Sequence, residues 1–149
     1  IDGLGRFKGV KRRMELRGEV NQIKVYDDFA HHPTAIATTL AGAKAQSTQG
    51  RVVAILEPRS NSMKMGAHSE GLADALQEAD WVVVLQPQGL EWSLQKTLDP
   101  LADKLQIFED LDALVTAVTQ AAMPHDCLVV MSNGAFGGVH QRLLDGLTA

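Results

Sequence analysis

An α/β fold built on a mostly parallel, doubly wound six-stranded sheet with an antiparallel N-terminal edge strand is predicted by three observations. Short apolar runs recur along the chain at residues 52–56, 81–85 and 127–131. Their Val, Ile and Leu residues do not alternate with polar ones, as expected of strands buried on both faces. Between the strand-like runs lie segments whose apolar residues follow a 3.6-residue period, each with a single stripe suited to one face of a sheet. A βαβ succession of this kind leads to a parallel sheet with helices on both sides.

The elements follow in order. Residues 13–20 and 22–27, separated by a turn near Asn21 and Gln22, read as an antiparallel strand pair. A helix opens at Pro33, which suits a first helical turn, and carries Ile36, Thr39, Leu40 and Ala43 on one stripe. The strand at 52–56 leads to a second stripe of Leu72, Ala75, Leu76 and Ala79, and then to the strand at 81–85. A strand at 105–108 precedes a helix capped by Asp110, with Asp112 in its positive first turn and Leu111, Leu114, Val115, Val118 and Ala122 on its stripe. The strand at 127–131 ends in a glycine-containing turn ahead of a last helix. The topology is Rossmann-like, and ligands in such sheets bind beyond the carboxyl ends of the strands.

Composition bounds the function. The 149 residues are 45% hydrophobic and 21% charged, with a formal charge of −4, as expected of one soluble globular domain over residues 1–149. No apolar run approaches the roughly 20 residues of a membrane span, and no signal peptide is visible, so no membrane partner is expected. The lone Cys127 excludes a disulfide framework and fits a buried thiol in a reducing, cytoplasmic setting. Residues 1–17 hold six cations against two acids, whereas residues 18–149 hold eight cations against sixteen acids. A basic arm on so acidic a body is a poor phosphate-backbone binder, so nucleic acid is not an expected partner. The chain opens on Ile1, and its basic front end is expected to be a cut edge within a longer protein.

Three loops at the expected ligand edge carry polar chemistry. Asp27-Asp28-Phe29-Ala30-His31-His32-Pro33 places two carboxylates and two imidazoles before a helix N-terminus. A carboxylate there can accept ribose hydroxyls, and a histidine beside a helix N-terminus can face phosphate. Asp27, Asp28, His31 and His32 are also the residues from which a metal-dependent phosphoesterase would be built, and the same Asp residues can serve a structural turn. Glu57-Pro58-Arg59-Ser60-Asn61-Ser62-Met63-Lys64 joins a planar guanidinium to a point cation and small hydrogen-bonding groups, a set that can hold carboxylates. Ser132-Asn133-Gly134-Ala135-Phe136-Gly137-Gly138 allows close backbone approach. Neither the G-x-G-x-x-G fingerprint nor a G-x-x-x-x-G-K-[ST] phosphate loop is present.

These loops, together with Phe7-Lys8-Gly9-Val10-Lys11-Arg12-Arg13-Met14-Glu15, resemble the C-terminal domain of the Mur ligases in order and spacing over almost the whole chain. The first two segments are shared with the branch that adds L-alanine to UDP-N-acetylmuramate. The Glu-Pro-Arg-Ser-Asn loop and the Ser-Asn-Gly-x-Phe-Gly-Gly turn look instead like the murein-recycling branch, which adds the tripeptide L-Ala-γ-D-Glu-meso-diaminopimelate. Ser62 stands where that branch carries Thr, and keeps the hydroxyl.

The resemblance implies a three-domain ligase that uses ATP and Mg2+, bound mainly by a central domain outside this chain, with residues 1–12 on the hinge side. It implies Arg13 and His31 as catalytic groups, and Arg13, Asp28, His31 and His32 as nucleotide-binding groups. Arg59, Ser60, Asn61 and Lys64, with Ser132, Asn133, Gly134 and Phe136, would hold the tripeptide. No metal ligand is expected within the domain, and the isolated piece is expected to be inactive. The C-terminal domain of the alanine-adding branch, a stand-alone metal-dependent phosphoesterase and a non-catalytic nucleotide-binding module are the competing readings.

Overall fold

The computed structural model describes residues 13–58, 71–90, 92–132 and 134–148. Strands β1 (Glu15–Val20) and β2 (Ile23–Asp28) form the antiparallel pair. Their connection is Asn21-Gln22, with φ of 54° and 68°. Two successive left-handed residues make the tight hairpin turn whose twist matches that of the strands, and Asn accepts this conformation more readily than most residues.

Both strand boundaries differ from the sequence expectation. The first strand begins at Glu15 rather than at residue 13, because Met14 at φ 48° leaves the extended region. The second runs to Asp28, so Asp27 and Asp28 lie within the strand and not in the loop after it. Successive strand residues point to opposite faces, so this shift separates the two carboxylates.

From β2 the chain enters helix α1 (Pro33–Gln46), with Pro33 in its first turn as expected. Strand β3 (Val52–Leu56) follows, then the short helix α2 (Leu72–Ala75), strand β4 (Trp81–Leu85), helix α3 (Leu94–Thr97) and a 3-10 stretch (Asp99–Lys104). Strand β5 (Leu105–Phe108), helix α4 (Leu111–Ala121) and strand β6 (Cys127–Met131) come next. A 3-10 turn (Phe136–Gly138) and helix α5 (Val139–Thr148) are the last described elements.

The sheet order is β1-β2-β6-β3-β4-β5, with every pairing parallel except β1-β2. Strand β6 returns between β2 and β3, so three strand ends that are distant in sequence meet at one edge. Ile36, Leu40 and Ala43 of α1 join Leu72 and Leu94 over one face, whereas Leu114, Val118, Leu143 and Leu147 cover the other. All five residues of β3 and of β6 are buried, which accounts for their unbroken apolar runs.

Asp110 accepts the Ala113 N–H at 3.1 Å, the helix cap its sequence position predicted. The second stripe makes only one helical turn, because Leu76 N–H is shared between Leu72 and Ala73 carbonyls and the chain tightens there. Its apolar residues are buried nonetheless. Helix α3, capped by Ser93, and the adjoining 3-10 stretch had no apolar periodicity long enough to announce them.

The amino end of the sheet is fastened by charge. Arg51 makes a bidentate pair with Asp126 at 3.1 and 2.7 Å, and Asp126 also accepts the Met123 N–H. Hydrogen bonding to Asp126 holds the Arg51 guanidinium above its ordinary pKa against the opposing effect of burial. Asp80 receives Lys44 through both oxygens and the Val52 N–H through one.

Candidate functional site

Strand β2 ends at the site with Asp28, a buried carboxylate between two segments. Its Oδ2 accepts the Met14 N–H at 2.9 Å and its Oδ1 accepts the Ala30 N–H at 2.8 Å. Each oxygen has two lone pairs, so each can still accept a hydroxyl from a ligand. A cleft of about 590 Å³ opens beside it, walled by Arg13, Phe29 and His31 and floored by the small residues Ala35, Thr38 and Gly42 of α1. His32 also borders this cleft. The four sequence-predicted nucleotide residues Arg13, Asp28, His31 and His32 are therefore brought together.

His31 is oriented by its own loop. Its Nδ1 lies 2.9 Å from the Phe29 carbonyl, which can only accept, so Nδ1–H is the donor and Nε2 is the ring's acceptor when neutral. The Phe29 ring meets His31 edge-on with centroids 5.3 Å apart, and His31 and His32 lie 4.1 Å apart. Among the described residues, Phe29 is one of the large apolar side chains left exposed.

At the neighbouring strand end, Ser132 is a junction. Its N–H donates to the Asp28 carbonyl at 3.2 Å, its hydroxyl donates to Glu57 at 3.3 Å, and its Oγ accepts the Gly134 N–H at 3.0 Å. Glu57 is buried at the end of β3, and its own N–H donates to the Met131 carbonyl. The sequence reading assigned Glu57 no role, since a glutamate before a proline gives no sign of burial.

Phe136 departs from the expectation of a substrate-facing side chain. It is fully buried in the core beneath α4 and α5, at φ 51°, and thus supports the turn from below. Gly137 follows at φ 57°, where an added Cβ would lie 2.6 Å from Leu111 Cδ2. The left-handed backbone favours glycine there, whereas the contact is with the end of a flexible side chain that can shift. Arg59, Ser60, Asn61, Lys64 and Asn133, together with residues 1–12, lie outside the described residues.

The metallophosphoesterase reading is not supported by the geometry. Asp28 faces α1 and the cleft, whereas Asp27 faces α5 and binds His140 Nε2 at 2.8 Å. Among the described residues, no group of three or more His, Cys, Asp or Glu residues is placed to hold a metal ion. The described residues therefore offer Mg2+ no set of ligands. Cys127 is not a poised nucleophile, because burial raises its thiol pKa to about 11. Among the described residues, no helix is long and apolar enough to cross a membrane.

Comparison with known proteins agrees with the geometry. The sequence profile of the Mur ligase glutamate ligase domain matches residues 12–134. The UDP-N-acetylmuramate–L-alanyl-gamma-D-glutamyl-meso-2,6-diaminoheptandioate ligase of Escherichia coli K12 is 48% identical over 147 residues, covering 98% of this chain and 32% of that protein. The crystal structure of a murein peptide ligase from Psychrobacter arcticus 273-4 superposes with a TM-score of 0.81 at 48% identity, covering 93% of this chain and 30% of that one. A crystallised domain from a ligase of the same description, from Haemophilus ducreyi 35000HP, gives a TM-score of 0.77 at 45% identity and covers 90% of this chain and 98% of that one. The chain spans about a third of the length of the curated relatives it matches. With its sequence and its sheet in agreement, the chain belongs to the Mur ligase family, as its C-terminal, glutamate ligase domain.

Proposed function

We propose that this domain is the substrate-closing part of an ATP-dependent ligase that joins UDP-N-acetylmuramate to the tripeptide L-Ala-γ-D-Glu-meso-diaminopimelate for reuse in peptidoglycan. The observation that carries this reading is the cleft shared by Arg13, Asp28, His31 and His32, set beside the Ser132–Asp28 contact in a domain 48% identical to a ligase of that name. In the proposed reaction, the lactyl carboxylate of UDP-N-acetylmuramate takes the γ-phosphoryl group of ATP and ADP leaves. The free amine of the tripeptide then attacks the acyl phosphate, an amide forms, and phosphate and a proton depart. ATP and a UDP-sugar as substrates place this reaction in the cytoplasm.

The domain's own residues position and neutralise. Asp28 accepts ribose hydroxyls with the lone pairs its backbone partners leave available. Arg13 offsets charge that develops on the phosphates, and His31, with His32 next to it, lies toward the phosphates and the reacting carboxyl. Arg59, Ser60, Asn61 and Lys64 hold the carboxylates and polar ends of the tripeptide. Ser132, Asn133 and Gly134 complete that pocket through the turn, which Phe136 supports from the core. Holding the amine against the acyl phosphate makes a bimolecular step local, and closure over the other domains keeps water away. Mg2+ would be held by the central domain of the full-length protein.

The test is Arg59→Ala in the full-length ligase. The KM for tripeptide should rise far more than the KM for ATP, whereas equal changes in both, or none, would overturn the pocket assignment.

A further inference from the structure

Asp27 and His140 lie 113 positions apart in sequence, yet their side chains, 3% and 7% exposed, meet at 2.8 Å. The second Asp27 oxygen is 3.7 Å from Arg17 Nη1 on β1, a longer contact with a side chain that is 42% exposed. The pair sits at the edge of an apolar layer that includes Val25, Phe136, Val139 and Leu143. Apolar side chains would fill such space at no loss of stability, since desolvating a carboxylate and an imidazole offsets much of their attraction. What an apolar contact lacks is direction, because a hydrogen bond constrains angle as well as distance.

The direction matters because of what lies between the contacts. The glycine turn begins at Ser132, whose N–H donates to the Asp28 carbonyl at 3.2 Å. It ends in α5, where His140, two residues after Gly138, reaches the Asp27 carboxylate. Both ends of the turn are thus fastened to adjacent residues of β2, and between them the backbone passes through left-handed Phe136, Gly137 and Gly138. The Asp28 carboxylate, on the other face of the same strand end, lines the cleft.

We propose that the Asp27–His140 pair is a positioning device: it clamps the glycine turn at a fixed orientation to the Asp28 edge, and it serves the site rather than the stability of the fold. The inference rests on the ligase reading for its kinetic consequence, but its structural consequence is independent of that reading. His140 is a positioning residue, since it acts through Asp27 and the turn and touches no substrate.

The test uses the double substitution Asp27→Val with His140→Phe, and the single substitution His140→Gln, whose amide can still donate to Asp27. The double variant should melt within about 3 °C of the parent chain. Its amides over residues 132–140 should exchange with solvent at least about tenfold faster, while those of β3 and β4 keep their protection. In the full-length ligase its KM for tripeptide should rise about tenfold, and His140→Gln should recover most of that loss. Unchanged exchange in the turn, or a double variant that does not fold, would overturn the proposal, the latter by showing that the pair serves stability. If exchange rises but the parent enzyme does not ligate tripeptide, the clamp stands and the ligase reading fails. If the parent ligates and the double variant keeps its KM, the clamp has no role in the site and the proposal fails.

Discussion

The Asp28 carboxylate accepts the backbone N–H of Met14 at 2.9 Å, and so ties the entry of the chain, with Arg13 beside it, to the carboxyl end of β2. With the Ala30 N–H on its other oxygen, one side chain serves both the local fold and the proposed ribose contact. Asp28→Ala leaves two backbone donors without this acceptor, at about 1–3 kcal/mol for each that stays buried. Urea titration of the chain should register that loss, and the KM for ATP of the full-length enzyme should rise. A variant with normal stability and normal KM for ATP would remove Asp28 from the site.

Two glycines separate structural from site constraints. A Cβ at Gly50 would lie 2.1 Å from the His125 carbonyl oxygen, which is backbone and cannot move aside alone. Gly50→Ala should therefore cost about 2–3 kcal/mol. A Cβ at Gly42 meets nothing within 4 Å, in the interior of α1. Gly42→Ala should gain about 0.5–1 kcal/mol in the same urea titration. Gly42 also floors the cleft, so Gly42→Phe should raise the KM for ATP without a comparable loss of stability.

Acid sensitivity should trace to Asp80. Partial burial raises its pKa, but hydrogen bonds from Lys44 and the Val52 N–H outweigh that effect and hold the carboxyl below its ordinary value. A carboxyl with a depressed folded-state pKa adds stability above its unfolded pKa of about 3.9, and that stability is lost as pH falls through the folded value. Asp80→Asn should flatten the decline in urea midpoint between about pH 5 and pH 2. A decline as steep as in the parent chain would assign the acid sensitivity elsewhere.

Cys127 should be silent. With its thiol pKa raised to about 11 by burial, the folded chain should not react with a disulfide reagent at about pH 8, whereas the urea-unfolded chain should react stoichiometrically. Rapid labelling of the folded chain would contradict its placement in the sheet.

Much of the scaffold was legible because it rests on local rules. The apolar runs of β3, β4 and β6, Pro33 opening α1, Asp110 capping α4 and the Asn21-Gln22 turn each follow from residue chemistry within a short window. The clustering of polar residues around the end of β2 was also legible, since Arg13, Asp28, His31 and His32 line one cleft. What the sequence hid depends on tertiary placement. A one-residue extension of β2 sends Asp27 to the opposite face from Asp28, where it meets His140, a residue with no local signal of burial. Phe136 read as a pocket residue because its loop is polar and glycine-rich, yet its left-handed backbone folds the ring into the core. Helix α2 kept its buried stripe but not its length, since burial constrains side-chain placement more than backbone regularity.

The central claim is the identity of the acceptor. The most direct measurement is formation of the amide product by the full-length enzyme from ATP and UDP-N-acetylmuramate, with L-alanine and L-Ala-γ-D-Glu-meso-diaminopimelate compared as acceptors. A kcat/KM for tripeptide at least about a hundredfold above that for L-alanine is the predicted result, equivalent to about 2.7 kcal/mol of discrimination. Preference for L-alanine would assign the domain to the alanine-adding branch and contradict the account.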